Sequence, residues 1–207
     1  MPLKAIDADT GKAVYSFTYA TKLEIRDKHP NLKCPFSGVE MYPRQRSGYV
    51  LHFVRKVVKE IPFDFHPESV QHSVGKELLY REAWRHINKA DSKFANCSVE
   101  IEYPVSIEGR EKGRIADVMI LDGGNKPIFA IELQLSPITP EELEQRTLDY
   151  ESQEIDVIWY FGDKAATEVN RNWAFKNLGR FDQISFPDIQ KEKSDDPYLK
   201  EALLNAV

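Results

Sequence analysis

Hydrophobic positions recur along this chain with two periods, and the switches between them outline an element order. From Pro67 to about Ala90, Val70, Val74 and Leu78 recur at four-residue spacing, and Ala83, Trp84 and Ile87 continue the apolar content. That is a helix signal, with Pro67 suited to its first turn. Val99 to Ile107 reads V-E-I-E-Y-P-V-S-I and alternates as a half-buried strand does. Two β-rich runs, Arg114–Leu121 (R-I-A-D-V-M-I-L) and Ile128–Leu135 (I-F-A-I-E-L-Q-L), flank D-G-G-N-K-P, a hairpin signal. Thr139 to Glu142, T-P-E-E, forms a capping box with proline at the first helical position, opening a helix to about Ser152. Ile155 to Phe161 is a short apolar run of the kind that makes a buried strand. The predicted order is α-β-β-β-α-β, a three-strand meander followed by a helical crossover to a fourth, parallel strand.

The flanks are simpler. Residues 1 to 60 read as a small β-rich unit, with strands at Ala13–Tyr19 and Tyr49–Val58 between turn-forming stretches. Ile61 to Pro67 reads as a linker bounded by prolines. Residues 65–207 then form the main α/β domain with a C-terminal extension. In that extension, Ala165–Asn177 is expected to be helical, Ile184–Phe186 a short strand and Tyr198–Ala206 a surface helix.

Register gives the hairpin its chemistry. If its six-residue turn closes symmetrically, Leu121 faces Ile128, and stepping back up the ladder sets Asp117 opposite Glu132. Gln134 then shares a face with Glu132, because side chains alternate at period two. Opposed carboxylates repel. A divalent cation between them removes that penalty, since hard cations favour oxygen ligands. The competing reading is a solvated strand face with two ordinary surface acids.

Composition bounds the function without choosing it. The 207 residues are 42% hydrophobic and 29% charged, enough for a globular core. No run of eighteen apolar residues and no signal-peptide pattern is seen, so neither a membrane span nor export is expected, and the location is read as cytoplasmic. Two cysteines, Cys34 and Cys97, do not make a disulfide framework, and Cys97 is read as a small buried hydrophobe. A net charge of -5 argues against coating nucleic acid through bulk electrostatics, yet permits an enzyme that cuts it. Basic residues cluster locally, at Arg44, Arg46, Arg55, Lys56 and Lys59 and again at Lys76, Arg81 and Arg85.

With an acid in the middle strand and E-x-Q in the next, the chain resembles the PD-(D/E)XK nuclease superfamily and, more narrowly, the competence protein CoiA-like family. The residues that carry the resemblance are His72 and Lys76, Arg114-Ile-Ala-Asp117, Glu132-Leu-Gln134-Leu-Ser136, Arg146, Tyr150 and Ile158-Trp159, over roughly residues 65 to 162. The expected fold is therefore a restriction-endonuclease-like α/β core behind a small N-terminal unit. The resemblance extends more weakly to Cys34-Pro35-Phe36-Ser37 and His52-Phe53, similar to the family's zinc ribbon. Serine stands where a second cysteine would be a ligand, so this unit is expected to be a degenerate ribbon without zinc.

The resemblance implies roles. Asp117 and Glu132, with the Leu133 carbonyl, would hold one or two magnesium or manganese ions. Gln134 stands where many relatives have lysine; an amide orients water but supplies no cation. His72 and Lys76 would touch phosphate, and Glu68 shares their helix face by i, i+4, i+8 spacing, as on any amphipathic surface ladder. Glu77 is another acid of that helix. Arg114, Arg146 and Tyr150 would contact the nucleic-acid backbone; their alternative is a surface arginine or a half-buried tyrosine. Trp159 and Tyr160 read as packing, and His29 and His86 find no role.

The leading expectation is a metal-dependent nuclease acting on phosphodiester bonds, most readily in DNA, during competence, DNA processing or defence. The alternatives are a catalytically inactive nuclease-fold module that binds DNA, favoured by Gln134, and an interaction protein whose acidic face meets a basic partner. Homo-oligomerisation is compatible with all three.

Overall fold

The computed structural model describes residues 1–46, 50–57, 60–63, 68–89, 94 and 96–184. The described residues fall into two compact units, one up to Glu77 and the other from Leu78. Among them, no helix is long and apolar enough to cross a membrane.

The first unit holds a five-stranded antiparallel sheet. Its strands are β1 (Lys4–Asp7), β2 (Ala13–Tyr15), β3 (Leu32–Lys33), β4 (Glu40–Arg44) and β5 (His52–Arg55), in the order β2-β1-β3-β4-β5. Helix α1 (Lys22–Lys28) starts where the Thr21 hydroxyl accepts the Glu24 N–H. The expected strand over Ala13–Tyr19 is only half strand, since Ser16–Thr18 turns into a 3₁₀ helix. The expected strand over Tyr49–Val58 shrinks to β5, with residues 49 and 58 outside the described ones. The core is Ala5, Val14, Ile25, Leu32, Cys34, Met41 and Phe53. The Cys34 thiol is thus packed among apolar side chains, and His52 is buried with Nδ1 2.8 Å from the Val50 carbonyl. Burial holds the His52 pKa below the usual imidazole value, despite that hydrogen bond. His29, unassigned from sequence, bridges the Asp7 carboxylate at 2.7 Å and the Tyr19 hydroxyl at 2.7 Å, tying the end of α1 to β1.

Helix α2 (Val70–Ile87) continues across the division between the units. The Ser69 hydroxyl accepts the His72 N–H at its start; Pro67, expected in the first turn, lies outside the described residues. Its apolar pattern is only partly the buried one. Val74, Leu79, Ala83 and Ile87 are buried, whereas Leu78 and Trp84 are exposed, and the buried stretch includes Lys76, Glu77 and Arg81. Buried charges on a helix require partners, which is a departure from an ordinary amphipathic surface.

The second unit is built on the strands β6 (Ser98–Val105), β7 (Arg114–Leu121), β8 (Pro127–Gln134), β9 (Asp156–Phe161) and β10 (Asp182–Gln183), ordered β10-β9-β8-β7-β6. β6, β7 and β8 are an antiparallel meander, while β8, β9 and β10 run parallel. Helix α3 (Pro140–Glu151) makes the crossover from β8 to β9, and α4 (Glu168–Leu178) leads to β10. The capping box read from T-P-E-E is present, with Thr139 and Glu142 exchanging side-chain and backbone bonds. The α-β-β-β-α-β order therefore stands. A two-residue strand forms at Asp182–Gln183; residues 185 and 186 of the strand expected at Ile184–Phe186, and the helix expected over Tyr198–Ala206, lie outside the described residues. Cys97 is only half-buried, and both cysteines are free thiols.

The hairpin turn corrects one detail of the expected register. Leu121 pairs Pro127, not Ile128, because the turn closes tightly: Asp122 N–H donates to the Lys126 carbonyl, and Asn125 adopts a left-handed φ of 65°. Ile128 is then an extra residue, and beyond it the pairs Ile120↔Phe129, Met119↔Ala130 and Val118↔Ile131 regain the offset a symmetric turn would give. A wrong turn and an unforeseen bulge cancel.

Candidate active site

The paired register ends at Val118↔Ile131, and continuing its offset by one residue sets Asp117 on β7 against Glu132 on β8. Both carboxylates are buried, at 7% and 1% exposure. Here β7 and β8 exchange a side-chain bond: the Leu133 N–H donates to Asp117 Oδ2 at 2.8 Å. That contact fixes one Asp117 oxygen in the plane between the strands. It also gives Leu133 a backbone role at the site, through its N–H.

Glu132 is held from α3. Arg146 Nη2 donates to Glu132 Oε2, and the Tyr150 hydroxyl donates to Oε1 at 2.5 Å. Arg146 and Tyr150 sit one helical turn apart, so both reach one carboxylate. Arg146 Nη1 also donates to Gln134 Oε1 at 3.1 Å, while Gln134 Nε2 donates to the Ser136 carbonyl at 2.8 Å. The guanidinium lies 4.7 Å from the centroid of the Trp159 ring, whose own N–H donates to Thr147. Trp159, read from sequence as packing, is thus also a platform for Arg146.

The electrostatics follow. Burial opposes the charge on Arg146, but the Glu132 carboxylate, Tyr150 and Asp117 overcome it and raise its pKa above the usual guanidinium value. Burial and then the Glu132 charge push the Tyr150 phenol well above its ordinary value, so it remains a hydrogen-bond donor to Glu132. Asp117, Glu132 and Arg146 carry two negative charges and one positive. Two buried oxygen-donor side chains with that imbalance suit a hard divalent cation, so the donor set fits the metal that the resemblance implies.

Arg114 is placed elsewhere. Its Nε and Nη2 bond Asp149 Oδ2 at 2.8 and 2.7 Å, and Arg110 and Gln145 bond Asp149 Oδ1. This buried acid pins the start of β7 and the loop before it to α3. In the first unit, Lys76 is 0% exposed and its ammonium lies 2.7 Å from Glu68, with His72 at 3.7 Å from the same carboxylate. Glu68 precedes α2 and also receives the N-terminal amine at 3.1 Å. Burial works against its charge, but Lys76, His72 and the amine hold its pKa far below the usual carboxylate value. These residues are a partly buried ion cluster, not a solvated ladder.

Two features escaped the sequence. The ladder of β6 and β7 passes from Ile101↔Val118 to Tyr103↔Ala116, leaving Glu102 abreast of Asp117. Glu102 is buried and adopts a φ of 53°, a region that non-glycine residues seldom occupy. V-E-I-E-Y carries no hint of it, since alternation alone made Glu102 an outward acid. Asp149 was the other omission; its four-residue spacing from Gln145 on α3 was the available signal.

Residues 68–195 match the family described as Competence protein CoiA, nuclease-like domain. No curated protein matches the chain. Among solved structures, the chain is similar to a repair endonuclease from Pyrococcus abyssi, at 16% identity over 75% of this chain and 67% of that one. The TM-score is 0.33, too low to inform the site. The family match spans more than half of the 207 residues and contains all the strands of the second unit's sheet, so this chain belongs to the CoiA nuclease-like family.

Proposed function

We propose that this protein is a metal-dependent nuclease that hydrolyses phosphodiester bonds, with DNA as substrate. What supports the reading is that two acids, Asp117 and Glu132, are buried on the neighbouring strands β7 and β8 within a nuclease-like family domain. Asp117, Glu132 and the Leu133 carbonyl would hold magnesium or manganese. A cation bound there would polarise the scissile phosphate and lower the pKa of an attacking water.

The chain's own groups have separate tasks. The Leu133 N–H orients Asp117, and Tyr150 orients Glu132, so neither acid must be immobilised when the substrate arrives. Gln134 replaces a lysine and is itself oriented by Ser136; its amide would position water and leave positive charge to other residues. By the resemblance, His72 is proposed as a phosphate contact and Arg146 as a backbone contact; the buried Lys76 and the Asp149-bound Arg114 are engaged within the protein instead.

One observation favours the second reading, a nuclease-fold module that binds DNA without cutting it. Glu132 is engaged by Arg146 and Tyr150, and Gln134 supplies no cation. Incubation with linear, circular, single- and double-stranded DNA in magnesium or manganese separates the two. Cleavage abolished by chelator supports the nuclease; tight binding with no cleavage on every substrate supports the binder.

A further inference from the structure

Arg146 occupies a contradictory position. Resting on the metal-site reading above, we propose that Arg146 is an internal counter-ion of Glu132 that a divalent cation displaces, and that the freed guanidinium then takes the substrate's phosphate. In this account Arg146 is a positioning residue until metal binds and a substrate-binding residue afterwards.

Three observations support the exchange. The first is competition for one atom: Arg146 bonds Glu132 Oε2, the carboxylate offered to the cation, and Glu132 is 1% exposed, so space beside it is scarce. A divalent ion and a guanidinium held at the same carboxylate would repel one another. The second is an incomplete fit. Arg146 Nε–H is buried and meets no acceptor among the described residues, although a guanidinium is normally recognised through paired Nε and Nη donors. Its present seat is a partial substitute for a two-oxygen anion such as phosphate. The third is access to solvent. Arg146 projects from α3 with its side chain 26% exposed, over the flat face of Trp159. Were it displaced from Glu132, Tyr150 would still hold the other carboxylate oxygen.

Trp159 makes the exchange observable. The chain has three tryptophans, and replacing Trp84 and Trp173 by phenylalanine leaves Trp159 as the sole indole emitter. Magnesium should change Trp159 emission, saturably, at the concentrations over which calorimetry detects binding. In the same background, Arg146→Gln should abolish that emission change and bind manganese at least tenfold more tightly, because the competing cation is gone. A protein that binds metal with no Trp159 response overturns the exchange and leaves the metal reading intact. So does an Arg146→Gln protein that folds and binds manganese equally or less tightly. Should Arg146→Gln fail to fold, the emission response of the Arg146-containing protein decides alone. Absence of magnesium and manganese binding to every form, measured by calorimetry to millimolar ion, refutes the metal reading and the exchange with it.

Discussion

The two acids at the site should respond oppositely to neutralisation. Glu132→Gln keeps the shape of the side chain but removes the charge that Arg146 answers. Breaking a buried ion pair from one side costs about 3–5 kcal/mol. Arg146 retains Gln134 and the Trp159 face, and its side chain is 26% exposed. Solvent screening therefore sets the expectation at the lower end, about 3 kcal/mol. For a chain of this size, that is a fall in Tm of about 6–12 °C. Asp117→Asn is different. An amide oxygen still accepts the Leu133 N–H, and repulsion with Glu132 is relieved while attraction to Arg146 is lost. The net change should lie within about 1 kcal/mol of zero, in the stabilising direction. Magnesium should raise the Tm of wild type more than that of Asp117→Asn, since a ligand stabilises only the state that binds it. Thermal melts of the three proteins with and without magnesium, under metal-free buffer as reference, make the comparison. If Glu132→Gln melts with wild type, or Asp117→Asn falls as far as Glu132→Gln, the charge assignment is wrong.

The remaining predictions concern the ion cluster and the frame. The Glu68 pKa is depressed in the folded protein, so its stabilising contribution is present at neutral pH and fades as pH falls below the ordinary value of 4.5. Urea midpoints of wild type and Glu68→Gln should therefore differ most near pH 7 and converge toward pH 3; a constant difference would contradict the pairing with Lys76. A Cβ on Gly162 would come within 2.7 Å of Leu135 Cδ2 and 3.3 Å of Leu135 Cα. Gly162→Ala should lower stability by about 1–3 kcal/mol through overpacking where β9 leaves β8, and an unchanged melt would show that Leu135 yields freely.

Most of the second unit was legible because its signals are local and redundant. The Thr139 capping box, the alternation of β6 and the β-rich runs of β7 and β8 each state their element within a few residues. The first unit was less legible for the converse reason. β1 and β3 span four and two residues and α1 seven, too short for a period to declare itself, and their stability comes from the shared core around Ile25 and Phe53. At the site, sequence pointed to two acids on neighbouring strands but not to what holds them. The reach of Arg146 and Tyr150 to Glu132 depends on how α3 is rotated over the sheet, which i, i+4 spacing leaves open. Glu102 was hidden by a backbone conformation that its residue type argues against.

If Asp117 and Glu132 form a metal-dependent cleavage site, it shows in whether Asp117→Asn still cuts DNA. This variant should keep its fold and its melt, so loss of activity cannot be ascribed to unfolding. Wild type should cut DNA in magnesium or manganese, chelator should stop it, and folded Asp117→Asn should not cut. Wild-type cleavage by folded Asp117→Asn would contradict that assignment.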